Sequence, residues 1–177
     1  MSQPAVFLDR DGTLMEDVGY ISDPALVRLY PGVLEALRRL KAAGFRLVIV
    51  TNQSGIGRGH FTVEQYESVH ARLVELLGPG LLDAAYFCAE HPDAATERRK
   101  PGAGMLREAA AEHGLDLAQS WMIGDREGDL LAGRAAGARA VLVLTGIGAE
   151  AEQGNAHFVA KDLADAVDFI LRDSGAS

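Results

Sequence analysis

The sequence predicts an α/β fold, namely a doubly wound, mostly parallel sheet of about five or six strands with helices on both faces. Short apolar runs, typical of buried strands, alternate along the chain with segments in which apolar residues recur at helical spacing. Strands separated by helices pair in parallel through right-handed crossovers. The length of 177 residues and the hydrophobic content of 48% suit one domain with a single core. We therefore expect one domain over residues 1–172, followed by a disordered tail at 173–177.

The first two predicted strands flank a well-marked helix. Ala5–Leu8 is an apolar run that ends in charged residues, which indicates a buried strand. A helix is expected after Pro31 and Gly32, because apolar residues recur there at helical spacing until Gly44 ends it. Phe45–Val50 is rich in β-branched residues and is predicted to form the second strand.

The middle of the chain continues this alternation. Thr62, followed three residues later by Gln65, resembles a capping box and predicts the start of a helix. The Gly-Pro-Gly sequence at 78–80 is expected to end that helix. Ala84–Cys88 then provides the third strand.

The second half of the chain completes the pattern. Helices are predicted over Gly104–His113, Asp129–Ala136 and Leu163–Leu171, and strands over Ser120–Ile123 and Ala140–Leu144. We find no internal repeat and no linker, which agrees with a single domain.

Charge and composition exclude several classes of function. Acidic residues outnumber basic ones by 25 to 17, so the net charge of −8 disfavours binding to nucleic acid or to an anionic membrane. No apolar stretch approaches the roughly 20 residues that span a bilayer, and no secretory signal is visible. A single cysteine excludes an intramolecular disulfide. We expect a cytoplasmic monomer whose partner is a small molecule.

Polar residues cluster directly after the predicted strands. In an open parallel sheet, ligands bind outside the carboxyl ends of the strands. Acids from separate strands that meet in one crevice require a divalent cation, and hard carboxylate oxygens suit Mg²⁺. Hydroxyl, amide and cationic groups beside them suit a phosphoryl group. The residues in question are Asp9, Arg10, Asp11, Thr51, Asn52, Gln53, Ser54, Arg99, Lys100, Asp125, Arg126 and Asp129.

Four of these motifs together resemble the haloacid dehalogenase (HAD) superfamily of phosphotransferases. The sequence has Asp-Arg-Asp-Gly-Thr at 9–13 after an apolar strand, Thr51, Lys100, and Gly-Asp-Arg-Glu-Gly-Asp at 124–129. The order of the motifs and their positions at strand ends are specific, whereas an Asp-x-Asp sequence alone is weak. The resemblance covers nearly the whole chain and implies a Rossmann-like, HAD-type sheet.

The resemblance also implies a role for each motif residue. Asp9 is the expected nucleophile that forms an aspartyl-phosphate, and Asp11 is the expected general acid and base. Thr51 and Lys100 would hold the phosphoryl oxygens. Asp9, the backbone carbonyl of Asp11, and Asp125 would hold Mg²⁺.

Other stretches are similar to one branch of the superfamily, the histidinol-phosphate and heptose-bisphosphate phosphatases. These stretches are FLDRDGTL, VGY at 18–20, TNQSGIGRG at 51–59 and RKPGAGML at 99–106. The resemblance implies removal of the 7-phosphate from a heptose bisphosphate, or hydrolysis of a related sugar phosphate, with histidinol phosphate as the alternative. The substrate-binding residues that it implies are Asp17, Tyr20, Asn52, Gln53, Ser54, Arg58, Arg99 and Arg126.

Two departures from the wider family bear on specificity. Members of that branch carry a structural zinc loop of cysteines and a histidine before the Arg-Lys pair, but here only Cys88 stands at a ligand position, with Glu90 in place of the histidine. Structural zinc takes four nitrogen or sulfur ligands, so we expect none here. In addition, residues 12–31 are too few for more than a flap, so no large cap domain is expected.

Some alternatives stay open at the level of sequence. Asp129 is equally suited to cap a helix or to orient Lys100. A phosphotransferase or mutase would use the same aspartyl-phosphate, and a metabolite-binding module without catalysis would keep the same pocket. The presence of both Asp9 and Asp11 favours hydrolysis.

Overall fold

Six apolar segments pair in parallel to form one sheet with the strand order β3-β2-β1-β4-β5-β6. The computed structural model describes residues 2–175. The predicted doubly wound sheet is confirmed. The sixth strand is a three-residue segment that the sequence did not mark. The strands are β1 (Ala5–Leu8), β2 (Arg46–Asn52), β3 (Ala84–Cys88), β4 (Trp121–Gly124), β5 (Arg139–Val143) and β6 (Phe158–Ala160).

The helices lie between the strands, as the alternating pattern predicts. The capping box is present: the Gln65 amide nitrogen donates to the Thr62 hydroxyl, and the Thr62 amide donates to the Gln65 side chain. The helices are α1 (Val33–Ala42), the single turn α2 (Ser54–Gly57), α3 (Val63–Leu77), α4 (Gly104–His113), α5 (Glu127–Ala136) and α6 (Leu163–Asp173).

Buried side chains fill both sides of the sheet. Helices α1, α3 and α6 pack against one face through residues such as Leu37, Leu73 and Ile170. Helix α4 packs against the other face through residues such as Met105. Truncating a wholly buried leucine such as Leu73 to alanine would cost about 2–5 kcal/mol of unfolding free energy.

The carboxyl end of the final helix differs from the prediction. Helix α6 extends to Asp173, whose carboxylate accepts a hydrogen bond from Arg139, and Ser174 and Gly175 follow it. The predicted tail therefore begins inside a helix. Residues 176 and 177, the end of that predicted tail, lie outside the described residues. Within residues 2–175, no helix is long and apolar enough to cross a membrane.

The segment between β1 and α1 forms a small flap. Two backbone hydrogen bonds join its two ends to each other, from Glu16 to the Arg28 carbonyl at 2.9 Å and from Tyr30 to the Leu14 carbonyl at 3.1 Å. Residues 2–175 contain no larger insertion, which confirms the expectation of no large cap. The carboxyl ends of the strands are therefore open to small molecules.

Candidate active site

The chain turns sharply after β1. The amide of Leu14 donates to the Arg10 carbonyl at 2.9 Å, and Gly12 has a φ of +85°, which a residue with a side chain rarely adopts. In a regular strand, residues i and i+2 point to the same face and the residue between them points to the other. Asp9 and Asp11 both line the same cavity, whereas Arg10 between them is buried.

Lys100 lies at the centre of the site and is buried. Its Nζ donates to Asp9 Oδ1 at 3.0 Å, to Asp129 Oδ1 at 2.6 Å and to the Val50 carbonyl at 2.8 Å. Burial acts to lower the pKa of Lys100, but the carboxylates of Asp129 and Asp9 outweigh it and hold that pKa above the ordinary value. The lysine therefore stays charged and compensates two acids at once.

Asp125 is locked in place by backbone around it. Its Oδ2 accepts a hydrogen bond from the Ile147 amide at 3.1 Å. A Cβ atom on Gly12 or Gly146 would lie 2.2 Å from that oxygen, so only glycine fits at either position. Oδ1 is buried and has no hydrogen-bond partner within residues 2–175. Burial and the nearby Asp9 raise the pKa of Asp125 to about 8.

Three carboxylates from two strand ends converge here. Oxygens of Asp9, Asp125 and Asp129 lie within 4.8 Å of one another. Burial and Asp9 raise the pKa of Asp129 to about 6, against the opposing effect of Lys100. Asp129 also accepts the Arg126 amide at 3.0 Å and so caps α5. Arg126 stands at the N-cap and Asp129 at the third position of α5, so Asp129 contacts the N-cap amide without being the N-cap residue, and it also contacts Lys100.

Asp11 lines the same cavity but makes a different set of contacts. Its Oδ2 accepts from Arg10 Nη2 at 3.0 Å and from Gln53 Nε2 at 2.9 Å, and its side chain is not part of the three-carboxylate cluster. Burial raises the pKa of Asp11, although Arg10 partly offsets this. Sequence reasoning assigned no role to Arg10. The sequence feature that could have indicated a role is an arginine placed between two aspartates at the end of a buried strand.

The last two residues of β2 and the residues directly after it lie beside the two aspartates. Thr51 is buried, and its hydroxyl accepts a hydrogen bond from Gln53 Nε2 at 2.9 Å. Asn52 uses both of its polar side-chain atoms on the backbone of Lys100, at 2.9 and 3.1 Å. In this structure the Asn52 side chain thus positions Lys100, and Ser54 begins the single turn α2.

A cavity of about 430 Å³ lies in front of these groups. This volume is in the range of small-molecule sites. The structure brings together at its wall most of the residues predicted from sequence. These are Asp9, Asp11, Asp17, Tyr20, Thr51, Asn52, Gln53, Ser54, Arg99, Lys100, Arg126 and Asp129.

The outer wall of the cavity is built from the flap and two arginines. Asp17 pairs with Arg126 at 3.0 Å, and the Tyr20 ring stacks on His60 with centroids 4.2 Å apart. These contacts join the flap to the segments after β4 and β2. Arg58, by contrast, is exposed and is not among the lining residues.

The loop after β3 is held by hydrogen bonds. Glu90 accepts from the Thr96 amide at 2.8 Å and from its hydroxyl at 2.7 Å. Arg98 donates to Glu108 at 2.9 Å, and Cys88 is buried. The absence of structural zinc stays a prediction that metal analysis of the purified protein will test.

Comparisons with known proteins agree with this geometry. Residues 97–166 match the HAD-hydrolase-like family model. The chain is 41% identical to the D-glycero-D-manno-heptose-1,7-bisphosphate 7-phosphatase of Thermosynechococcus vestitus over 96% of each chain. It is 45% identical to the D-glycero-beta-D-manno-heptose-1,7-bisphosphate 7-phosphatase of Yersinia pestis over 93% of each chain.

A solved structure of a heptose bisphosphate phosphatase has the same fold. The D,D-heptose 1,7-bisphosphate phosphatase from B. bronchiseptica, a crystal structure in complex with magnesium and phosphate, superposes with a TM-score of 0.86 at 33% identity. The match covers 96% of this chain and 99% of that one. With four motif groups gathered at one end of a HAD-type sheet, the chain therefore belongs to the HAD family of phosphatases, which are phosphoric monoester hydrolases.

Proposed function

We propose that this protein removes the 7-phosphate from D-glycero-D-manno-heptose 1,7-bisphosphate or a closely related sugar phosphate, through an aspartyl-phosphate on Asp9 and with Mg²⁺ bound. The observation that carries the proposal is the buried contact of Lys100 with Asp9, beside the unpartnered Oδ1 of Asp125. The names of the relatives support the choice of substrate.

The acid cluster fits a magnesium ion. Asp9, Asp125 and Asp129 offer hard oxygens within 4.8 Å of one another, and the unpartnered Asp125 Oδ1 is available as a ligand. We expect Asp9, Asp125 and the Asp11 carbonyl to hold the ion, with Asp129 chiefly engaged by Lys100. When bound, Mg²⁺ supplies positive charge that offsets the carboxylates and the phosphoryl oxygens.

Asp9 is the proposed nucleophile. One carboxylate oxygen of Asp9 forms a bond to phosphorus while the ester oxygen leaves. Lys100 fixes Asp9 Oδ1 at 3.0 Å and limits the rotation of the carboxylate. The ammonium group and the Thr51 hydroxyl are expected to stabilise negative charge on the phosphoryl oxygens in the transition state.

Asp11 is the proposed proton carrier. Its carboxyl group protonates the leaving sugar oxygen, since an alkoxide is a poor leaving group, and then accepts a proton from the water that attacks the aspartyl-phosphate. This second step releases inorganic phosphate and restores Asp9. A base in this position favours transfer to water over storage of the phosphoenzyme.

The rest of the cavity is proposed to select the sugar. Arg99 and Arg126 lie on its wall, where their charges suit the second phosphate of a bisphosphate. Tyr20, Gln53, Ser54 and Asn52 complete the proposed subsite. Arg58, which is exposed outside the lining residues, is proposed to act only on the approach of the substrate.

Phosphate release from a panel of esters tests the proposal. With Mg²⁺, we expect kcat/KM to be highest for the heptose 1,7-bisphosphate, lower for heptose 7-phosphate, and lowest for histidinol phosphate. Arg99→Gln tests the subsite for the second phosphate, because it should reduce the preference for the bisphosphate over the 7-phosphate. A preference for histidinol phosphate would contradict the assigned substrate, and preferential transfer to added glycerol would contradict hydrolysis. The cytoplasmic location and the monomeric state stay predictions from sequence.

A further inference from the structure

Arg10 is wholly buried between the two aspartates of the turn after β1. Burying a guanidinium is costly unless its charge is paired and hydrogen-bonded. Its Nε donates to Asp11 Oδ2 at 3.2 Å, and its Nη2 lies 3.0 Å from Oδ2 and 3.2 Å from Oδ1. One arginine thus contacts both oxygens of a single carboxylate.

The guanidinium group of Arg10 also packs against an aromatic ring. Its guanidinium carbon lies 5.2 Å from the ring centroid of Tyr66, a residue of α3 that is 4% exposed. The Tyr66 ring packs against Phe87 of β3 at 4.2 Å and against His70 at 5.9 Å. An aromatic stack built on two elements of the fold therefore restricts where the guanidinium can move.

The other side-chain donor to Asp11 comes from the residue directly after β2. Gln53 Nε2 donates to Oδ2 at 2.9 Å, but it does not reach Oδ1. Only Arg10 contacts Oδ1 among the side-chain hydrogen bonds within residues 2–175. The Asp11 side chain keeps 17% of its surface exposed, on the wall of the cavity.

We propose that Arg10 is a positioning residue that holds the Asp11 carboxyl group in the cavity for proton transfer to the leaving oxygen. This inference rests on the proposed function, because it assumes that Asp11 transfers that proton. Arg10 is not among the residues that line the cavity, so we do not expect it to touch the substrate. Replacing Arg10 should therefore slow only those steps in which Asp11 transfers a proton.

The basicity of the leaving group separates this role from a merely structural one. A sugar or glycerol oxygen needs a proton as its bond to phosphorus breaks, whereas p-nitrophenolate leaves without one. Because kcat/KM reports only the steps up to departure of the leaving group, it isolates the acid function of Asp11 from its later function as a base.

The test compares kcat/KM for p-nitrophenyl phosphate with kcat/KM for an alkyl ester, either the heptose bisphosphate or β-glycerophosphate. For Arg10→Gln we expect about a 100-fold loss with the alkyl ester and a loss of no more than about threefold with p-nitrophenyl phosphate. Asp11→Asn should give the same pattern. Leu73→Ala, a core truncation on α3 away from Asp11, should leave the ratio unchanged.

Arg10→Lys is a second variant that keeps the proposal testable if Arg10→Gln does not fold. It keeps the buried charge, but one ammonium cannot match the two-nitrogen contact of a guanidinium, so the ratio should shift in the same direction by about tenfold. An unchanged ratio in the soluble Arg10 variants would overturn the proposal. A wild-type protein that hydrolyses neither ester would instead contradict the proposed function.

Discussion

The two ends of the sheet carry acids in opposite electrostatic surroundings, a partly buried one at the amino end and buried ones at the carboxyl end. At the amino end, Asp83 accepts hydrogen bonds from Lys41 at 2.5 Å, from Arg46 at 2.7 Å and from the Leu47 amide at 2.8 Å. Burial opposes ionisation there, but these three donors lower the pKa of Asp83. At the carboxyl end, burial and Asp9 raise the pKa of Asp125 to about 8.

This difference separates stability from function. The acid at the amino end is fully compensated by the protein, so it stabilises the fold. The acids at the carboxyl end share one lysine among three carboxylates, so they lack positive charge. A site with this deficit is suited to bind a cation and then a phosphoryl group.

The largest expected effect is on turnover. Asp9→Asn should lower kcat by about 10⁴-fold or more, because the nucleophile is lost while the shape of the side chain is kept. Asp83→Asn is the matched change at the other end and should leave kcat and KM within about twofold of the wild type. Equal losses in the two variants would contradict the separation of roles.

The next effect is on both activity and stability. Within residues 2–175, Lys100 is the only cation in contact with Asp9 and Asp129. For Lys100→Met we therefore expect a loss of about 10²–10³-fold in kcat and of about 3–5 kcal/mol in unfolding free energy. Lys41→Met leaves Arg46 and the Leu47 amide on Asp83. It should cost about 1 kcal/mol or less, since Lys41 is partly exposed. Steady-state kinetics and urea unfolding provide both measurements.

A third effect is on the unfolding free energy, which should change in opposite directions when the acid at each end of the sheet is replaced by asparagine. Without metal and near neutral pH, Asp125→Asn should raise the unfolding free energy by at least about 0.5–2 kcal/mol, because the wild-type carboxyl group has to take up a proton on folding and the amide does not. Asp83→Asn should lower it by about 1–2 kcal/mol, because its donors lose a charged acceptor. Added Mg²⁺ should raise the Tm of the wild type and of Asp83→Asn, but not of Asp125→Asn. A metal-free Asp125→Asn protein that is less stable than the wild type would contradict this account.

A fourth effect is that the unfolding free energy should depend on pH with opposite sign at the two ends of the sheet. Because the pKa of Asp125 is raised to about 8, the folded state binds the extra proton, and Asp125 makes the metal-free protein less stable as pH rises from about 4 to 8. Because the pKa of Asp83 is lowered, its contribution is present above the unfolded value of 3.8 and is lost as pH falls through the folded value. Unfolding of each Asn variant from about pH 2 to pH 8 measures both slopes, that of Asp83 below about pH 4 and that of Asp125 above it. Parallel slopes in the two variants would contradict the contrast.

Much of the fold could be predicted from sequence, because its elements have strong periodic or local signals. The strand bounds of Ala5–Leu8 and Ala84–Cys88 match the prediction, and so does the helix Gly104–His113. Strand β6 was missed, since Phe158–Ala160 is a three-residue segment and lies at the edge of the sheet. Its pairing with β5 depends on tertiary contacts that no local pattern encodes.

The site was predicted in its motifs but not in its internal contacts. Residue type and strand position suffice to gather Asp9, Lys100 and Asp125 at one edge of the sheet. The sequence could not indicate that the Asn52 side chain forms hydrogen bonds with the Lys100 backbone. Nor could it indicate that the buried Arg10 side chain donates to the Asp11 carboxylate. These contacts depend on rotamers set by the three-dimensional packing around the turn.

The central claim is that Asp9 becomes phosphorylated, and trapping tests it most directly. Asp11→Asn should still accept a phosphoryl group from p-nitrophenyl phosphate, whose leaving group needs no acid, but should hydrolyse the intermediate slowly. Mass spectrometry after an acid quench should then find one phosphoryl group per chain, on the peptide that contains Asp9. A burst of p-nitrophenol without a covalent adduct, or an adduct on another residue, would contradict the account.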